Sequence, residues 1–267
     1  MANESYAIAG GEAGRERLRV VARVFGPGTA NLLDAAGVGE GMACLDVGSG
    51  GGDVSRELAR RVGPTGSVLG IDLDTVKVDI ARKEAAARDL GNVAFQVGDV
   101  FDLDHQCEFD FVYARFLLTH LKDPGAAVER MAQGLRPGGT IAIEDIDFTG
   151  HFSNPECPPF QDYIRLYTQV VQAKGGDPNI GPRLPQLLRQ AGLGNIAMTV
   201  SQPADIRGET KLINPITMDC ISEAVVAAGL ASKAEVSRIV DDLFAVAQDE
   251  ETVLSTPRIV QVWARKA

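Results

Sequence analysis

Short apolar runs alternate with longer amphipathic segments between residues 43 and 147. After the run Ala43–Val47, apolar residues recur at helical spacing at Val54, Leu58 and Val62, and Gly63-Pro64 then ends the segment. This rhythm is typical of strands joined by crossover helices in a parallel sheet. It predicts five strands in this part of the chain, at Ala43–Val47, Val68–Asp72, Val93–Val97, Phe109–Ala114 and Thr140–Ile146.

The rhythm is interrupted twice after this point. Residues 154–181 are rich in Pro, Gly and aromatic side chains and contain one clear helical pattern, at Phe160–Lys174, and residues 204–248 form a second insertion of mostly helical character. Between and after them the rhythm resumes, with a helix at Arg183–Ala191 and strands at Ile196–Ser201 and Pro257–Lys266. The sequence therefore predicts an α/β fold with a doubly wound, mostly parallel sheet of seven strands and helical insertions.

Composition excludes several classes of protein. The formal charge is −10, from 26 Lys and Arg against 36 Asp and Glu, so the basic surface that binds a nucleic acid backbone is missing. The four cysteines form no CxxC pair, so no metal site or disulfide framework is predicted. No apolar stretch reaches the ~18 residues of a membrane span, and the N-terminus lacks signal-peptide features. We expect a cytoplasmic protein without nucleic acid or membrane partners.

A glycine-rich loop, Gly48–Gly52, follows the first predicted strand. Glycines at this place let the backbone approach a ligand, and the next helix presents unpaired N–H groups to it. The dinucleotide pattern G-x-G-x-x-G fails here, because Asp53 stands where its third glycine would be. Asp72 ends the second strand, 24 residues after Gly48, where a carboxylate accepts hydrogen bonds from ribose hydroxyls.

Together with Gly98-Asp99-Val100 and Pro137-Gly138-Gly139, these motifs resemble the class I S-adenosylmethionine-dependent methyltransferases, in their small-molecule branch of natural-product and quinone pathways. The resemblance implies a Rossmann-like methyltransferase fold with S-adenosylmethionine as cofactor. It assigns the amino acid end of the cofactor to the glycine loop, the ribose to Asp72 and the adenine to residues 73, 99 and 100. The implied cofactor-binding residues are Tyr6 in an N-terminal lid, Asp46, Gly48, Ser49, Gly50, Asp53, Asp72, Leu73, Asp99, Val100, Ala114 and Arg115.

The same resemblance divides the chain by role. We expect a single methyltransferase domain over residues 1–267, with a helical N-terminal lid at 1–40 and a cofactor-binding half at 41–149. The helical insertions at 150–182 and 204–250 would form a cap over the acceptor. Apolar stripes in the second insertion, such as Ile221 with Val225 and Ile239 with Leu243, are interpreted as packing or as the surface of a homodimer.

Candidate chemistry lies after the fourth and fifth strands. His120 is the best general-base candidate, although a structural role in its loop explains it as well. Asp145 is a second catalytic candidate, and Asp147 would share its face of the strand and contact the acceptor. Aromatic side chains of the first insertion are predicted to line the acceptor pocket together with His120, namely Phe152, Phe160, Tyr163 and Tyr167.

The leading hypothesis is methyl transfer to an O or N atom of a small natural-product-like metabolite, and the acidic composition favours neutral or cationic acceptors. A C-methyltransferase of quinone or sterol type uses the same cofactor half and stays open. Two hypotheses of other classes also stay open. One is an NAD-dependent oxidoreductase, which would explain the glycine loop and Asp72 but not Asp53, and the other is a cofactor-binding protein without turnover.

Overall fold

The computed structural model describes residues 11–267, with side chains from residue 17 onward. Tyr6, expected in an N-terminal lid, lies outside the described residues. Ten strands and eight α-helices are present in the described part of the chain. Within residues 11–267, no helix combines the length and the apolar character that crossing a membrane requires.

The central sheet has seven strands. Its members are β1 (Ala43–Val47), β2 (Ser67–Asp72), β3 (Val93–Val97), β4 (Phe109–Arg115), β5 (Leu135–Asp147), β7 (Gly194–Ser201) and β10 (Arg258–Arg265). They lie in the order β3-β2-β1-β4-β5-β10-β7. The first five run parallel, and β10 is antiparallel to both of its neighbours. The predicted doubly wound, mostly parallel seven-stranded sheet is confirmed, and the strand order reverses between β1 and β4.

Helices cover both faces of this sheet. They are α1 (Gly11–Ala35), α2 (Asp53–Val62), α3 (Thr75–Ala86), α4 (Pro124–Gly134), α5 (Pro158–Ala173), α6 (Leu184–Gln190), α7 (Glu209–Ala227) and α8 (Lys233–Gln248). Helices α1 and α2 pack on one face and α4 and α6 on the other. A small antiparallel sheet joins β6 (Ser153–Asn154), β9 (Val253–Ser255) and β8 (Ala204–Asp205) beside α7.

The inserted helices share one apolar core with the main sheet. Residues of α1, α5, α7 and α8 form a buried cluster that also includes Ile146 of β5 and Ile259 of β10. The two apolar stripes of the second insertion are in this cluster, with Ile221, Val225 and Leu243 fully buried. Of the two interpretations of these stripes, the structure therefore selects packing within the chain.

Candidate active site

The glycine loop forms the floor of a cleft at the carboxyl ends of β1, β2 and β4. Gly48, Gly50 and Gly52 all have left-handed φ, at 75°, 53° and 75°, a region that side chains with a Cβ rarely adopt. The N–H groups of Gly48 and Ser49 donate to the carbonyl of Ile71, at 2.8 and 2.9 Å, which holds the loop against β2. The turn thereby brings backbone and the N-terminus of α2 to the point where strand order reverses, the usual ligand site in such sheets.

Asp72 connects this loop to the end of β2. One carboxylate oxygen accepts from the N–H of Gly50 at 2.8 Å, and the other accepts from the N–H of Asp74 at 2.9 Å. Each oxygen has a second lone pair that these bonds leave available. Because Asp72 also borders the open space of the cleft, it is placed to accept two further hydrogen bonds from a ligand.

Asp46 is the buried acid of the loop. Its side chain lies under the glycines and accepts a hydrogen bond from Ser55 Oγ at 2.5 Å. Burial raises the pKa of this carboxyl to about 7, while the Ser55 hydrogen bond opposes the rise. Neighbouring Ser49 is also buried, and its hydroxyl has no hydrogen-bond partner among the described residues. Ser49 Oγ is therefore a polar atom that a ligand in the cleft would satisfy.

Two compartments open from the loop. The first has a volume of about 330 Å³ and is bordered by the ends of β2 and β3. Leu73 is 52% exposed at its edge, and the Asp99 carboxylate accepts from the N–H of Phe101 at 3.0 Å, which turns the chain at its wall. The structure thus brings Asp72, Leu73, Asp99 and Val100 together around one space, as the resemblance implied.

The second compartment, of about 90 Å³, lies between the glycine loop and helices α1, α5 and α7, and it adjoins the first. The rings of Phe148 and Tyr167 are stacked in it, with centroids 3.9 Å apart and planes inclined by 6°. Tyr163 lies beside them, and Ile146 and Ile213 add aliphatic walls. Of the predicted acceptor residues, His120, Tyr163 and Tyr167 therefore do border a common space.

Four predicted positions lie elsewhere. Phe160 is fully buried behind the aromatic wall, in edge contact with His151, and Phe152 is 46% exposed outside the cap. Asp145 accepts from the N–H groups of Ile146 and Thr119, at 2.8 and 3.2 Å, on the opposite face of β5. Asp147 accepts from Thr149 and forms an ion pair with Arg258 at 3.3 Å. None of these four side chains borders either compartment, so the expectation that they meet the acceptor is corrected. Phe160 is packed in the core, Phe152 is exposed, and the two aspartates are held by hydrogen bonds and an ion pair.

The acid of β5 that points toward α1 is Glu144, which sequence reasoning missed. Its buried carboxylate accepts from Thr29 Oγ1 at 2.5 Å, from Gln261 Nε2 at 2.6 Å and from the Tyr113 hydroxyl. Three donors offset the cost of burying this charge. Because side chains alternate along a strand, the sequence predicts that residues 144 and 146 share one face of β5. It does not predict which face α1 covers.

Arg115 ends β4 between the two compartments. Its guanidinium donates to Asp53 Oδ2 at 2.5 Å and to Thr29 Oγ1 at 3.3 Å. Burial by itself would lower the pKa of Arg115, but the Asp53 carboxylate more than offsets this and raises the pKa above its usual range. Both residues border the cleft, and the adjoining Ala114 is buried within the strand. The side chains of Arg115 and Asp53 thus pair with each other, so these residues contact a ligand through their backbone.

His120 lies where the two compartments meet, at the end of a short 3₁₀ turn, Leu118–His120. Burial lowers the pKa of this imidazole to about 3, and the charges of Arg17, Lys77 and Lys174 act in the same direction. His120 is therefore neutral at pH 7. A neutral imidazole that resists protonation is a hydrogen-bonding group in this cleft and a weak general base.

The geometry of the cleft fits S-adenosylmethionine. The glycines in the left-handed conformation expose backbone to a ligand, and Ser49 Oγ has no hydrogen-bond partner among the described residues. The Asp72 carboxylate can accept hydrogen bonds from ribose hydroxyls. The larger compartment is bordered by the apolar side chains of Leu73 and Val100 and by the carboxylates of Asp72 and Asp99, which suits an adenosine group.

Comparisons with known proteins agree with this fit. The family described as methyltransferase domain matches residues 39–177, which is more than half of the chain. A demethylmenaquinone methyltransferase of Staphylococcus aureus (strain JH9) is 32% identical over 141 residues, covering 52% of this chain and 55% of the relative. The chain spans about half the length of the curated relatives it matches.

Solved structures share the fold across most of the chain. YcgJ of Bacillus subtilis aligns with a TM-score of 0.58 at 16% identity, over 89% of this chain and 97% of that one. A Haemonchus contortus phosphoethanolamine N-methyltransferase 2 bound to S-adenosylhomocysteine aligns with a TM-score of 0.59 at 18% identity, over 93% of this chain and 56% of that one. The [4+2]-cyclase SpnF aligns with a TM-score of 0.55 at 22% identity, over 90% of this chain and 80% of that one. The glycine loop, the strand order and the family match together show that this chain belongs to the S-adenosylmethionine-dependent methyltransferase family.

Proposed function

We propose that this protein transfers a methyl group from S-adenosylmethionine to an O or N atom of a small, largely apolar metabolite of natural-product type. The observation that carries the proposal is the second compartment, which extends from the glycine loop to an aromatic wall and is bordered by α1, α5 and α7. A compartment of this size accommodates a compact acceptor and excludes a macromolecule. The helical segments 150–182 and 204–250 would serve as the acceptor cap.

Each part of the cleft has a proposed role toward the cofactor. The Asp72 carboxylate would bind the ribose hydroxyls, and Asp99 with Val100 would meet the adenine edge. The backbone of Gly48, Gly50 and residues 114–115 would hold the methionine part, with Asp46 and Ser49 beneath it. When bound, S-adenosylmethionine supplies an electrophilic methyl group on a sulfonium centre.

The protein's part in the reaction is then chiefly alignment. Tyr163, Tyr167 and Phe148 restrict how a flat acceptor lies, and exclusion of water by the cap favours displacement in line with the sulfonium. Because the pKa of His120 is about 3, we propose that this residue orients the acceptor by hydrogen bonding. An acceptor that enters the compartment already deprotonated needs no stronger base.

Two further functions have observations in their favour. The relative named demethylmenaquinone methyltransferase favours a quinone-type acceptor, which would be methylated at carbon. The structural likeness to a protein named a [4+2]-cyclase shows that this fold also carries another activity, so a cofactor-binding protein without methyl transfer is the second alternative. The family match and the Asp53 position both speak against a nicotinamide-dependent oxidoreductase.

The test combines binding with turnover. Calorimetric titration with S-adenosylhomocysteine and with NAD measures the cofactor preference, and we expect binding of the first alone. Methyl-labelled S-adenosylmethionine is then offered with a panel of phenols, amines, quinols and sterols, and product NMR locates the new methyl group. Label on carbon would replace the O or N assignment. Tight binding of S-adenosylhomocysteine with no labelled product across the whole panel would contradict methyl transfer and favour the non-methylating alternative.

A further inference from the structure

Arg17 of α1 borders the second compartment. The adjacent side chain, Leu18, faces the glycine loop instead, since a Cβ built on Gly50 would lie 3.8 Å from Leu18 Cδ2. Successive residues of a helix point about 100° apart, so the two side chains reach different walls of this compartment, which both of them border. Arg17 is directed toward α5 and α7, which carry the cap.

The partner of the Arg17 guanidinium is a neutral hydroxyl. Nε donates to Thr217 Oγ1 at 3.4 Å, and Thr217 also hydrogen-bonds Tyr163. Among the side chains that the structure describes, no carboxylate lies within ion-pair distance of Arg17. Other arginines near the cleft are matched with acids, Arg115 with Asp53 at 2.5 Å and Arg23 with Glu209 at 2.7 Å.

A half-buried cation beside aromatic rings, with no counter-ion among the described side chains, is stabilised when a ligand supplies an anion. The guanidinium is a planar fork that matches a carboxylate with two parallel hydrogen bonds. The hydroxyls of Thr217 and Tyr163 stand beside this fork and can add donors to the same anion. Ile146, Phe148 and Ile213 give apolar walls to the same compartment. The acids Asp46, Asp53 and Asp72 line the glycine-loop part of the same compartment, where Arg115 pairs with Asp53. The part between α1, α5 and α7 therefore combines the Arg17 cation with apolar walls.

We propose that the acceptor is a small aromatic or hydrophobic acid whose carboxylate is bound by Arg17, with Thr217 and Tyr163 as flanking donors. This inference rests on the proposed function and deepens it by naming the substrate class. It reverses the expectation, drawn from the net charge of −10, that acceptors are neutral or cationic. A local cation inside a low-dielectric pocket outweighs surface charge that solvent and salt screen.

The other anion in reach of the cleft is the carboxylate of the cofactor itself. The direction of Arg17 toward Thr217 and Tyr163, and of Leu18 toward the glycine loop, favours the acceptor as its ligand. An experiment that measures both affinities in the same variants separates the two assignments.

The experiment compares matched acids and amides as probes, namely benzoate with benzamide, cinnamate with cinnamamide and octanoate with octanamide. Their affinities are measured by ligand-observed NMR for the protein saturated with S-adenosylhomocysteine. The variants are Arg17→Gln, Arg17→Lys and the control Arg19→Gln, which removes the same charge from a 49% exposed side chain on the same helix. Melting temperatures within a few degrees of the wild type show that each variant is folded.

We expect at least one acid to bind the wild type about tenfold or more tightly than its amide, the scale of a charged hydrogen-bonded pair. Arg17→Gln should reduce this ratio to about twofold, Arg17→Lys should retain part of it, and Arg19→Gln should leave it unchanged, with affinity for S-adenosylhomocysteine constant throughout. Equal binding of acids and amides to the wild type would overturn the inference. So would an acid preference that survives Arg17→Gln.

A tenfold loss of affinity for S-adenosylhomocysteine in Arg17→Gln would assign Arg17 to the cofactor and also overturn it. Failure of the wild type to bind S-adenosylhomocysteine at all would contradict the proposed function first. Because acid binding is measured without turnover, failure of this inference and failure of methyl transfer give different results.

Discussion

The protonation of His120 decides whether this residue can serve as a base, and replacing it with asparagine tests that directly. Burial and nearby cations hold the pKa of His120 at about 3 in the folded protein, against 6.5 for an ordinary imidazole. The pKa difference, 6.5 minus 3, means that protonating this imidazole costs about 5 kcal/mol more in the folded protein than in water, at about 1.4 kcal/mol per pKa unit. His120→Asn removes the titrating group and keeps a polar side chain of similar size.

The sign of the pH effect follows from proton binding. Between about pH 6.5 and pH 3 the unfolded chain binds a proton at this imidazole and the folded protein does not. Acidification therefore stabilises the unfolded state, and stability is lost as the pH falls through this window. The free energy of unfolding of the wild type, minus that of His120→Asn, should decrease by about 1.4 kcal/mol for each pH unit below 6.

Subtracting the variant removes the contributions of other shifted groups. His151 has a pKa lowered to about 4 by burial and loses stability in acid in the same way. Asp46 and Asp145 have pKa values raised to about 7 by burial, so the stability that their protonation contributes is present at low pH and lost as the pH rises toward 7. Because all three are present in both proteins, the difference isolates His120.

The assay is urea unfolding at pH 7.5, 6.5, 5.5 and 4.5, with His105→Asn as the control. His105 pairs with the exposed Glu108, away from the cleft. NMR titration of the imidazole signals follows His120 directly. A stability difference that does not change with pH would refute the low pKa and make His120 available as a base. If the low pKa holds, His120→Ala should reduce turnover by less than about tenfold, in contrast to the 100-fold loss typical of removing a general base.

Three further substitutions test the loop, the cofactor site and the cap. Asp72→Ala should weaken S-adenosylhomocysteine binding by about 1–3 kcal/mol, measured by calorimetry, and unchanged affinity would reject the ribose assignment. Gly52→Ala should destabilise the fold by about 1–3 kcal/mol more than Gly37→Ala in urea unfolding. A Cβ at Gly52 would lie 2.7 Å from the Phe95 ring, whereas a Cβ at Gly37 would have no neighbouring atom within 4 Å. Equal costs would contradict that contact. Lys211→Met should cost about 2–4 kcal/mol, because the buried ammonium donates to the carbonyls of residues 206, 249 and 252; a melting temperature equal to that of the wild type would disprove this role.

The cofactor half was predictable because its signals are local. Strands Ala43–Val47 and Val93–Val97 have the predicted bounds, and the glycine loop with Asp72 lies where the strand pattern placed it. In a parallel sheet of short crossovers, a loop that follows a strand must emerge at the carboxyl edge. Position in the sequence therefore determines position in the site.

The acceptor side was not determined in this way. Alternation along β5 identified two faces, but only the packing of α1 and the cap decided that Glu144 and Ile146 turn toward that side and Asp145 turns away. The contact of Arg17 with Thr217 joins residues 200 positions apart, and no local pattern encodes it. A strand buried on both faces shows no preference in its own sequence, so which face becomes a site depends on the helices that cover it. Local patterns thus suffice to predict the fold and the cofactor, whereas the surroundings of the acceptor depend on long-range packing.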